Sequence, residues 1–339
     1  MQFIDNKGIT DPAINLALEE YALRNLPMDD SYLLFYINEP SIIIGKNQNT
    51  IEEINKGYVE ENGIHVVRRL SGGGAVYHDL GNLNFSFLTK DDGQSFSNFA
   101  KFTQPVIDTL QKLSVNAALT GRNDIQVGEQ KISGNAQFTT KGRLFTHGTL
   151  LFNSAMENVA SALQVKPMKI ESKSTKSVRS RVANISEFLA TPLTIEQFRE
   201  TLLRELFQCD PTQIQVYPLT DEQWAAVHKL ADERYRTWDW NYGHSPKFNL
   251  QHAVKFPSGI VDVRLLVEEG KIADCKIYGD FFGILDVAEL EKALCGTRYV
   301  EADIRSVLEG IDLSRYFGQM SLEAFVALLL QQEQPPALS

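Results

Sequence analysis

The run Arg68-Arg69-Leu70-Ser71-Gly72-Gly73-Gly74-Ala75-Val76-Tyr77-His78-Asp79 constrains what this chain can become more than any other stretch. Three consecutive glycines sit between segments with the composition of strands. Each glycine loses more backbone freedom on folding than any other residue and adds no side chain to a core. Packing therefore gives no reason for them. A backbone stripped of Cβ atoms can approach a ligand closely and turn its amide N–H groups toward an anion. Arg69 beside it supplies a guanidinium suited to phosphate or carboxylate. A plain glycine-rich turn is the competing reading; it accounts for the glycines but not for the paired arginines or His78.

Two familiar nucleotide loops are excluded. No Gly-x-x-x-x-Gly-Lys-Ser/Thr segment occurs in the 339 residues. Gly72-x-Gly74 lacks the third glycine of a dinucleotide fingerprint, because Tyr77 holds that position. A nucleotide must be held in another way.

Around this loop the pattern is that of an α+β fold. Asp11 and Pro12 predict the start of a helix over 12–26, with Ile14, Leu18 and Tyr21 or Ala22 on one face. Segments 32–38 and 42–45 read as buried strands split by Glu39-Pro40. A helix near 51–62 leads to a strand over 64–68, and 82–88 alternates about Leu83, Phe85 and Phe87. Phe99, Phe102, Val106, Leu110 and Leu113 mark one face of a long helix. Strands follow near 115–119, 124–127, 131–138 and 144–152, so the region to about Pro192 is a mixed sheet with helices. Helices are predicted over 194–209 and 221–235, then an aromatic connector over 238–248. Strands over 261–268 and 271–278 flank the turn signal Glu269-Gly270. Helices near 286–294, 301–308 and 322–332 complete a small α+β domain. The expected division is 1–248 and 249–339.

Composition narrows the partners. With 43% hydrophobic and 22% charged residues the chain can bury a sizeable core. No apolar run approaches the ~20 residues of a membrane span, and the first residues do not resemble a signal peptide. Three scattered cysteines, Cys209, Cys275 and Cys295, look like ordinary small buried residues and suit a reducing cytoplasm. A net charge of −10 argues against nucleic acid and gives no reason to expect a membrane surface. One stretch departs from that average: 166–181 holds six basic residues against Glu171, a local +5. It reads either as a solvated loop or as a mobile flap that meets phosphate.

Further residues carry chemistry. Gly121-Arg122-Asn123-Asp124 precedes Gly128-Glu129-Gln130-Lys131-Ile132-Ser133-Gly134. Lys131, in a strand between small residues, is either a solvated edge charge or a fixed ammonium that offsets phosphate charge during transfer. Asp124 is a candidate to hold Mg²⁺ through one carboxylate and nucleotide phosphates. Thr146-His147-Gly148-Thr149-Leu150 places small residues on a neighbouring strand. The six histidines show no zinc spacing; His78 and His147 suit packing or hydrogen bonding better than general-base roles.

Taken together, these stretches resemble the lipoate–protein ligase A family. Arg69 to Asp79 is similar to its lipoate-binding loop. Gly121-Arg122-Asn123-Asp124, Lys131-Ile132-Ser133-Gly134 and His147-Gly148-Thr149-Leu150 match its further motifs in order. Lys176-Ser177-Val178-Arg179-Ser180-Arg181-Val182-Ala183-Asn184 resembles its adenylate-binding loop. The similarity is strong over 4–184 and weaker at Trp238-Asp239-Trp240-Asn241-Tyr242-Gly243 and beyond.

The resemblance implies a mixed-sheet catalytic domain of the biotin/lipoate ligase type with a small C-terminal accessory domain. It implies that lipoate attacks the α-phosphate of ATP to give lipoyl-AMP, with Mg²⁺ at Asp124. A lysine of a lipoyl domain, on an E2 subunit of a 2-oxoacid dehydrogenase or the glycine-cleavage H protein, then takes the acyl group. By the same resemblance Lys131 is the catalytic residue and contacts both substrates. Arg69, Gly74, Ala75, Val76, Tyr77, Asn82 and Arg179 bind the nucleotide, and Ser71, Gly72, Gly73, His78 and His147 line the lipoate side. Such chemistry needs no nucleophilic side chain, only positioning and charge stabilisation.

Three rivals stay open. An octanoyl- or lipoyl-transferase of the same fold would carry a cysteine nucleophile near the substrate, whereas Cys209 lies past every motif. A biotin ligase has a different glycine motif. A non-catalytic lipoyl-domain binding module would not need Lys131 together with the full glycine loop.

Overall fold

The first helix begins as the sequence requires. In the computed structural model Asp11 Oδ1 accepts from the N–H groups of Ala13 and Ile14 at 2.8 and 3.3 Å, and Pro12 opens Pro12–Asn25. The residues described are 1–163, 182–242, 248, 250–268 and 270–330, without the side chain of Ile51. The buried surface of this helix is wider than one stripe. Leu16, Ala17, Leu18, Glu19, Glu20, Ala22 and Leu23 are all buried, while Ile14 and Tyr21 are only half-buried.

Its neighbours form a seven-stranded mixed sheet. In spatial order the strands are β1 (Gln2–Asp5), β2 (Tyr32–Ile37), β6 (Asn82–Lys90), β10 (Arg143–Leu151), β9 (Gln130–Thr140), β8 (Asp124–Val127) and β7 (Ala117–Thr120). β1 and β2 run parallel, and the remaining pairs are antiparallel. A second sheet places β3 (Ser41–Ile44) between β4 (His65–Arg68), parallel to it, and β5 (Val76–His78), antiparallel. One face of the large sheet presents Leu33, Phe35, Leu83, Phe85, Phe87, Leu144 and Leu150 to the helices Phe99–Lys112 and Ile195–Phe207. The α+β expectation therefore holds.

Two predicted helices are broken, each for a local reason. The helix expected over 51–62 is two pieces, Thr50–Glu53 and Lys56–Glu61, because Asn55 caps the second and donates its backbone N–H to Ala162. The helix expected over 221–235 is α-helical only over Asp221–Leu230. It continues as a π-turn over Ala231–Tyr235, closed by Arg236 N–H to the Ala231 carbonyl at 2.9 Å. That widened turn brings both Arg234 and Tyr235 onto Glu20, at 2.5 and 2.8 Å. The sequence pattern does not mark β1 or β5, and the short helix Trp238–Asn241 lies inside the expected connector.

The chain divides into two compact units. The first comprises Met1–Ile44, Thr50–Leu70 and Ala75–Asn241; the second comprises Gly45–Asn49, Ser71–Gly74 and the chain from Tyr242 onward. In the second, the expected hairpin is β12 (Gly259–Glu268) with β13 (Lys271–Gly279), joined by an unanticipated third strand, β11 (Leu250–Phe256). Helices Ala288–Leu294, Glu301–Leu308 and Leu322–Leu330 close its core around Val261, Val263, Leu290 and Phe325.

Candidate functional site

The other face of the large sheet changes character along its strands. At one end Tyr32, Leu34, Leu88, Phe138 and Phe145 pack with helices Pro12–Asn25 and Asp221–Leu230. Further along, the same alternation presents Asn82, Asn84 and Ser86 on β6, with Thr149 opposite Asn84 and His147 opposite Ser86 on β10. Asn82 and Ser86 are wholly buried, yet Asn82 Oδ1 and Ser86 Oγ lack hydrogen-bond partners among the described residues. Burying polar atoms without partners is costly, so such a surface marks a place where something else is bound.

Lys131 stands at this polar end. β9 is bulged there: Ile125 faces Ser133 and Gln126 faces Lys131, leaving Ile132 without a cross-strand partner. The extra residue shifts the alternation, so Ile132 enters the apolar core while Lys131 and Gly134 share the opposite face. The lysine side chain lies across Gly134; a Cβ at 134 would stand 2.9 Å from Nζ and 3.0 Å from Cε. Gly134 N–H in turn donates to Thr149 Oγ1 at 3.2 Å. The ammonium reaches Asp124 Oδ1 at 2.9 Å, and with side chains 33% and 20% exposed this pair orients the lysine more than it stabilises the fold. Lys131 is therefore neither a free edge charge nor a core residue.

Asp124 meets Lys131 through Oδ1 and is only partly buried. Among the described residues no group of three His, Cys, Asp or Glu side chains could hold a metal by itself. A lone carboxylate suits Mg²⁺ only where nucleotide phosphates complete its shell.

A second cluster is more deeply buried. Arg69, 5% exposed, donates from Nη1 to the Ile43 carbonyl at 3.0 Å; burial pulls its pKa down to about 10, which leaves it charged at neutral pH. Burial likewise raises the Tyr36 hydroxyl well above its usual range, with Glu19 adding to the effect. His147 Nδ1 lies 2.9 and 3.0 Å from the two Glu19 carboxylate oxygens. His78 is 3% exposed, and burial, with Arg69 and His147 nearby, pushes its pKa down to about 3. It is a neutral imidazole.

Glu19 and Asn38 are the residues that sequence reading missed here. For Glu19 a signal existed. Glu19-Glu20 lies in a helix whose other residues are apolar or small nearly all round, so no solvent face could receive both acids. Buried carboxylates must find partners: Glu19 takes His147, and Glu20 takes Arg24, Arg234 and Tyr235.

The paired arginines separate in role. Arg68 binds the Trp238–Asn241 helix, donating from Nε to the Trp240 carbonyl at 2.9 Å and from Nη2 to Asn241 O and Thr50 Oγ1. Trp240 Nε1 returns a bond to Arg68 O at 2.8 Å. Only Arg69 belongs with the histidine cluster.

The glycine loop corrects one expectation, that packing gives no reason for its glycines. Ser71–Gly74 lies in the second unit, where a Cβ on Gly72 would stand 2.4 Å from the Phe281 carbonyl oxygen. The Gly73 backbone adopts φ +92°, and its carbonyl oxygen would meet a Cβ on Gly45 at 1.9 Å. Lys46 N–H donates to Ser71 O at 2.8 Å. Contacts within the protein thus demand part of the glycine run. Of the following residues, Tyr77 is buried in β5, and Val76 pairs with Ile43. Ala75 is half-buried just before them. Arg179 and the whole basic stretch 166–181 lie outside the described residues; the chain is described again from Val182, which bridges Lys131.

A mixed sheet with a buried polar patch and an oriented ammonium at its rim suits chemistry done by positioning and charge. The chain belongs to the lipoyl protein ligase family: residues 11–207 match the Lipoyl protein ligase A/B catalytic domain, and 245–329 match the Bacterial lipoate protein ligase C-terminus. It is 62% identical over 97% of its length, and all of the other's, to "Lipoate-protein ligase LplJ" of Bacillus subtilis. It is 55% identical over the same shares to "Lipoate--protein ligase 1" of Staphylococcus aureus. Among solved structures, P. falciparum LipL1 in complex with lipoate superposes with a TM-score of 0.79 at 28% identity, covering 98% of this chain and 99% of that one. A bi-partite lipoate protein ligase of Thermoplasma acidophilum, analysed with its E2 lipoyl domain, gives 0.62 at 32% identity, covering 74% and 98%. A lipoate-protein ligase A bound with ATP gives 0.61 at 30%, covering 71% and 98%.

Proposed function

We propose that the protein joins lipoate to ATP and then passes the lipoyl group to a lysine of lipoyl domains, on E2 subunits and the glycine-cleavage H protein. The observation that carries this reading is the Lys131 ammonium, held over Gly134 by Asp124 at the rim of a buried polar sheet face. In the first half-reaction a lipoate carboxylate oxygen attacks the α-phosphorus of ATP, the bond to the bridging oxygen breaks, and pyrophosphate leaves. Lys131 draws the two anions together and offsets charge on the carboxylate and α-phosphate oxygens. In the second half-reaction the acceptor amine attacks the acyl carbon, loses a proton and forms the amide as AMP departs.

Arg69, the backbone of Gly74 to Tyr77, and Asn82 are the proposed nucleotide contacts, and the unpartnered Asn82 Oδ1 fits a hydroxyl or amine donor. Ser71, Gly72, Gly73, His78 and His147 are the proposed lipoate side. Mg²⁺, when bound, would neutralise phosphate charge, with Asp124 its protein ligand. The proposed catalytic region is 1–248 and the accessory one 249–339. No described helix is long and apolar enough to cross a membrane, and the three free thiols fit a reducing cytoplasm.

Exchange of labelled pyrophosphate into ATP tests the first half-reaction. We expect exchange that depends on added lipoate. Lipoyl transfer from a carrier thioester without exchange would replace the ligase by a transferase, and neither activity would leave a binding module.

A further inference from the structure

A chain of buried asparagines runs from the start of the protein to His78. Asn6 Nδ2 donates to the Ile9 carbonyl at 2.9 Å and to Asn15 Oδ1 at 3.0 Å. Asn15 Nδ2 donates to the same carbonyl and to Asn38 Oδ1, both at 2.9 Å. Asn38 Nδ2 lies 3.0 Å from His78 Nδ1. None of the four is more than 4% exposed.

The direction of the chain is fixed by backbone groups at its origin. A carbonyl can face only a donor, so both Asn6 and Asn15 must turn their NH₂ groups toward Ile9. Asn6 Oδ1 is then left to accept from Gly8 N–H, 3.2 Å away. With Asn15 so oriented, its Oδ1 accepts from Asn6 and its NH₂ meets Asn38 Oδ1. Asn38 therefore offers an N–H to His78 Nδ1, which must accept through its lone pair. The single imidazole proton resides on Nε2. That nitrogen is buried and has no hydrogen-bond partner among the described residues.

Burial above all keeps the ring neutral, and Arg69 and His147 also oppose its protonation, while the Glu19 carboxylate is bound to His147. Strand geometry gives the distance to the reacting end from His147, which is near enough to act on His78. His147 lies two residues from Thr149, which accepts from Gly134 beneath Lys131. Two residues of strand span about 7 Å, the reach of a short acyl chain from a carboxyl at Lys131.

We propose that Asn38, backed by Asn15 and Asn6, is a positioning residue that holds His78 as the Nε2–H tautomer, and that this donor favours acyl chains ending in sulfur over plain alkyl chains. The proposal rests on the lipoate reading above. A buried donor left unpaired is costly; the disulfide sulfurs at the far end of lipoate accept, if weakly, whereas a methyl terminus cannot.

The test uses the full chain labelled with ¹⁵N at histidine. A long-range ¹H–¹⁵N spectrum without ligand, with His78 assigned by its loss in His78→Gln, should show one Nε2–H tautomer unchanged from pH 8 to 5. Asn38→Ala should give mixed tautomers. Calorimetric titration should find its lipoate binding weakened five- to tenfold and its octanoate binding by less than twofold. An Nδ1–H tautomer in the parent, titration of His78 within that pH range, or equal losses for the two ligands would overturn the proposal, since a merely structural defect weakens both alike. Asn15→Ala, one link removed, carries the same comparison if Asn38→Ala does not fold. Failure of the lipoate reading is distinguishable: the parent would keep its tautomer and bind no lipoate.

Discussion

The two faces of the large sheet are built from alternate residues of the same strands, yet they answer to different demands. Leu83, Phe85 and Phe87 of β6 enter an apolar core beneath two helices, while Asn82, Asn84 and Ser86 point the other way into a buried polar surface. A one-residue slip in register would exchange the two sets. The apolar face gains free energy for every atom it buries; the polar face contributes little or costs stability, and its retention makes sense only through what it binds. Substitutions on the two faces should therefore part company: one set lowers stability with chemistry spared per folded molecule, the other lowers chemistry with stability spared.

The largest expected effect is on the polar side. Lys131→Ala removes the ammonium and leaves Asp124 partly exposed, so folding should change little. Loss of one preorganised electrostatic contact costs about 10² to 10³ in rate, and we expect the upper end for lipoate-dependent pyrophosphate exchange. The melting temperature should stay within about 2 °C of the parent. Exchange within threefold of the parent would end the catalytic assignment and the comparison with it.

Phe85→Ala is the counterpart on the apolar face. The ring is wholly buried, 5.8 Å from that of Phe87. Its removal should lower the unfolding free energy by about 3 kcal/mol, from lost transfer energy and the cavity left behind, while the KM for lipoate stays unchanged. A shifted KM without loss of stability would show that the faces are not separable.

His78 sharpens the contrast because its cost depends on pH. The unfolded imidazole takes up a proton below about pH 6.5, whereas the folded one resists it until about 3. Between those values the unfolded state binds more protons, so stability falls as pH falls. His78→Gln should remove part of that slope, flattening the loss between pH 6.5 and 5 by about 1 to 2 kcal/mol. Denaturant unfolding at several pH values measures it, and parallel curves for parent and variant would place the protonation elsewhere.

What the sequence made legible was local chemistry. Asp11-Pro12 announces the first helix, alternation announces β6, and Glu269-Gly270 announces the β12–β13 hairpin, because each signal acts over a few residues. The features left unread depend on distant partners. β1 is four residues paired with β2, and β5 is three residues inside the glycine motif. The bulge at Ile132, which turns Lys131 over Gly134, exists only against β8. Arg68 and Arg69 are adjacent letters with different fates, and only the position of Trp240 and Asn241 distinguishes them. Asn6, Asn15 and Asn38 look like ordinary polar residues until the fold joins them.

The smallest expected effect concerns the thiols, where the sheet comparison meets the question of mechanism. If positioning and charge suffice, no side chain of the enzyme is acylated. The expectation that all three cysteines are buried holds only for Cys275 in β13; Cys209, beyond the helix Ile195–Phe207, is half-buried, and Cys295, after Ala288–Leu294, is exposed. Burial, with the Glu291 carboxylate beside it, drives the Cys275 thiol far above its usual range, so it supplies no thiolate. Partial desolvation on the protein surface and the Asp274 carboxylate raise the Cys295 thiol as well. The combined change Cys209→Ala, Cys275→Ala, Cys295→Ala should cost about 1 kcal/mol of stability, mostly at the buried site, and leave ATP-dependent lipoylation within about threefold, a barrier change below 1 kcal/mol. Intact-mass spectra during turnover should show no enzyme thioester. A folded but inactive cysteine-free protein, or a thioester in the spectrum, would move the chemistry from Lys131 to a thiol.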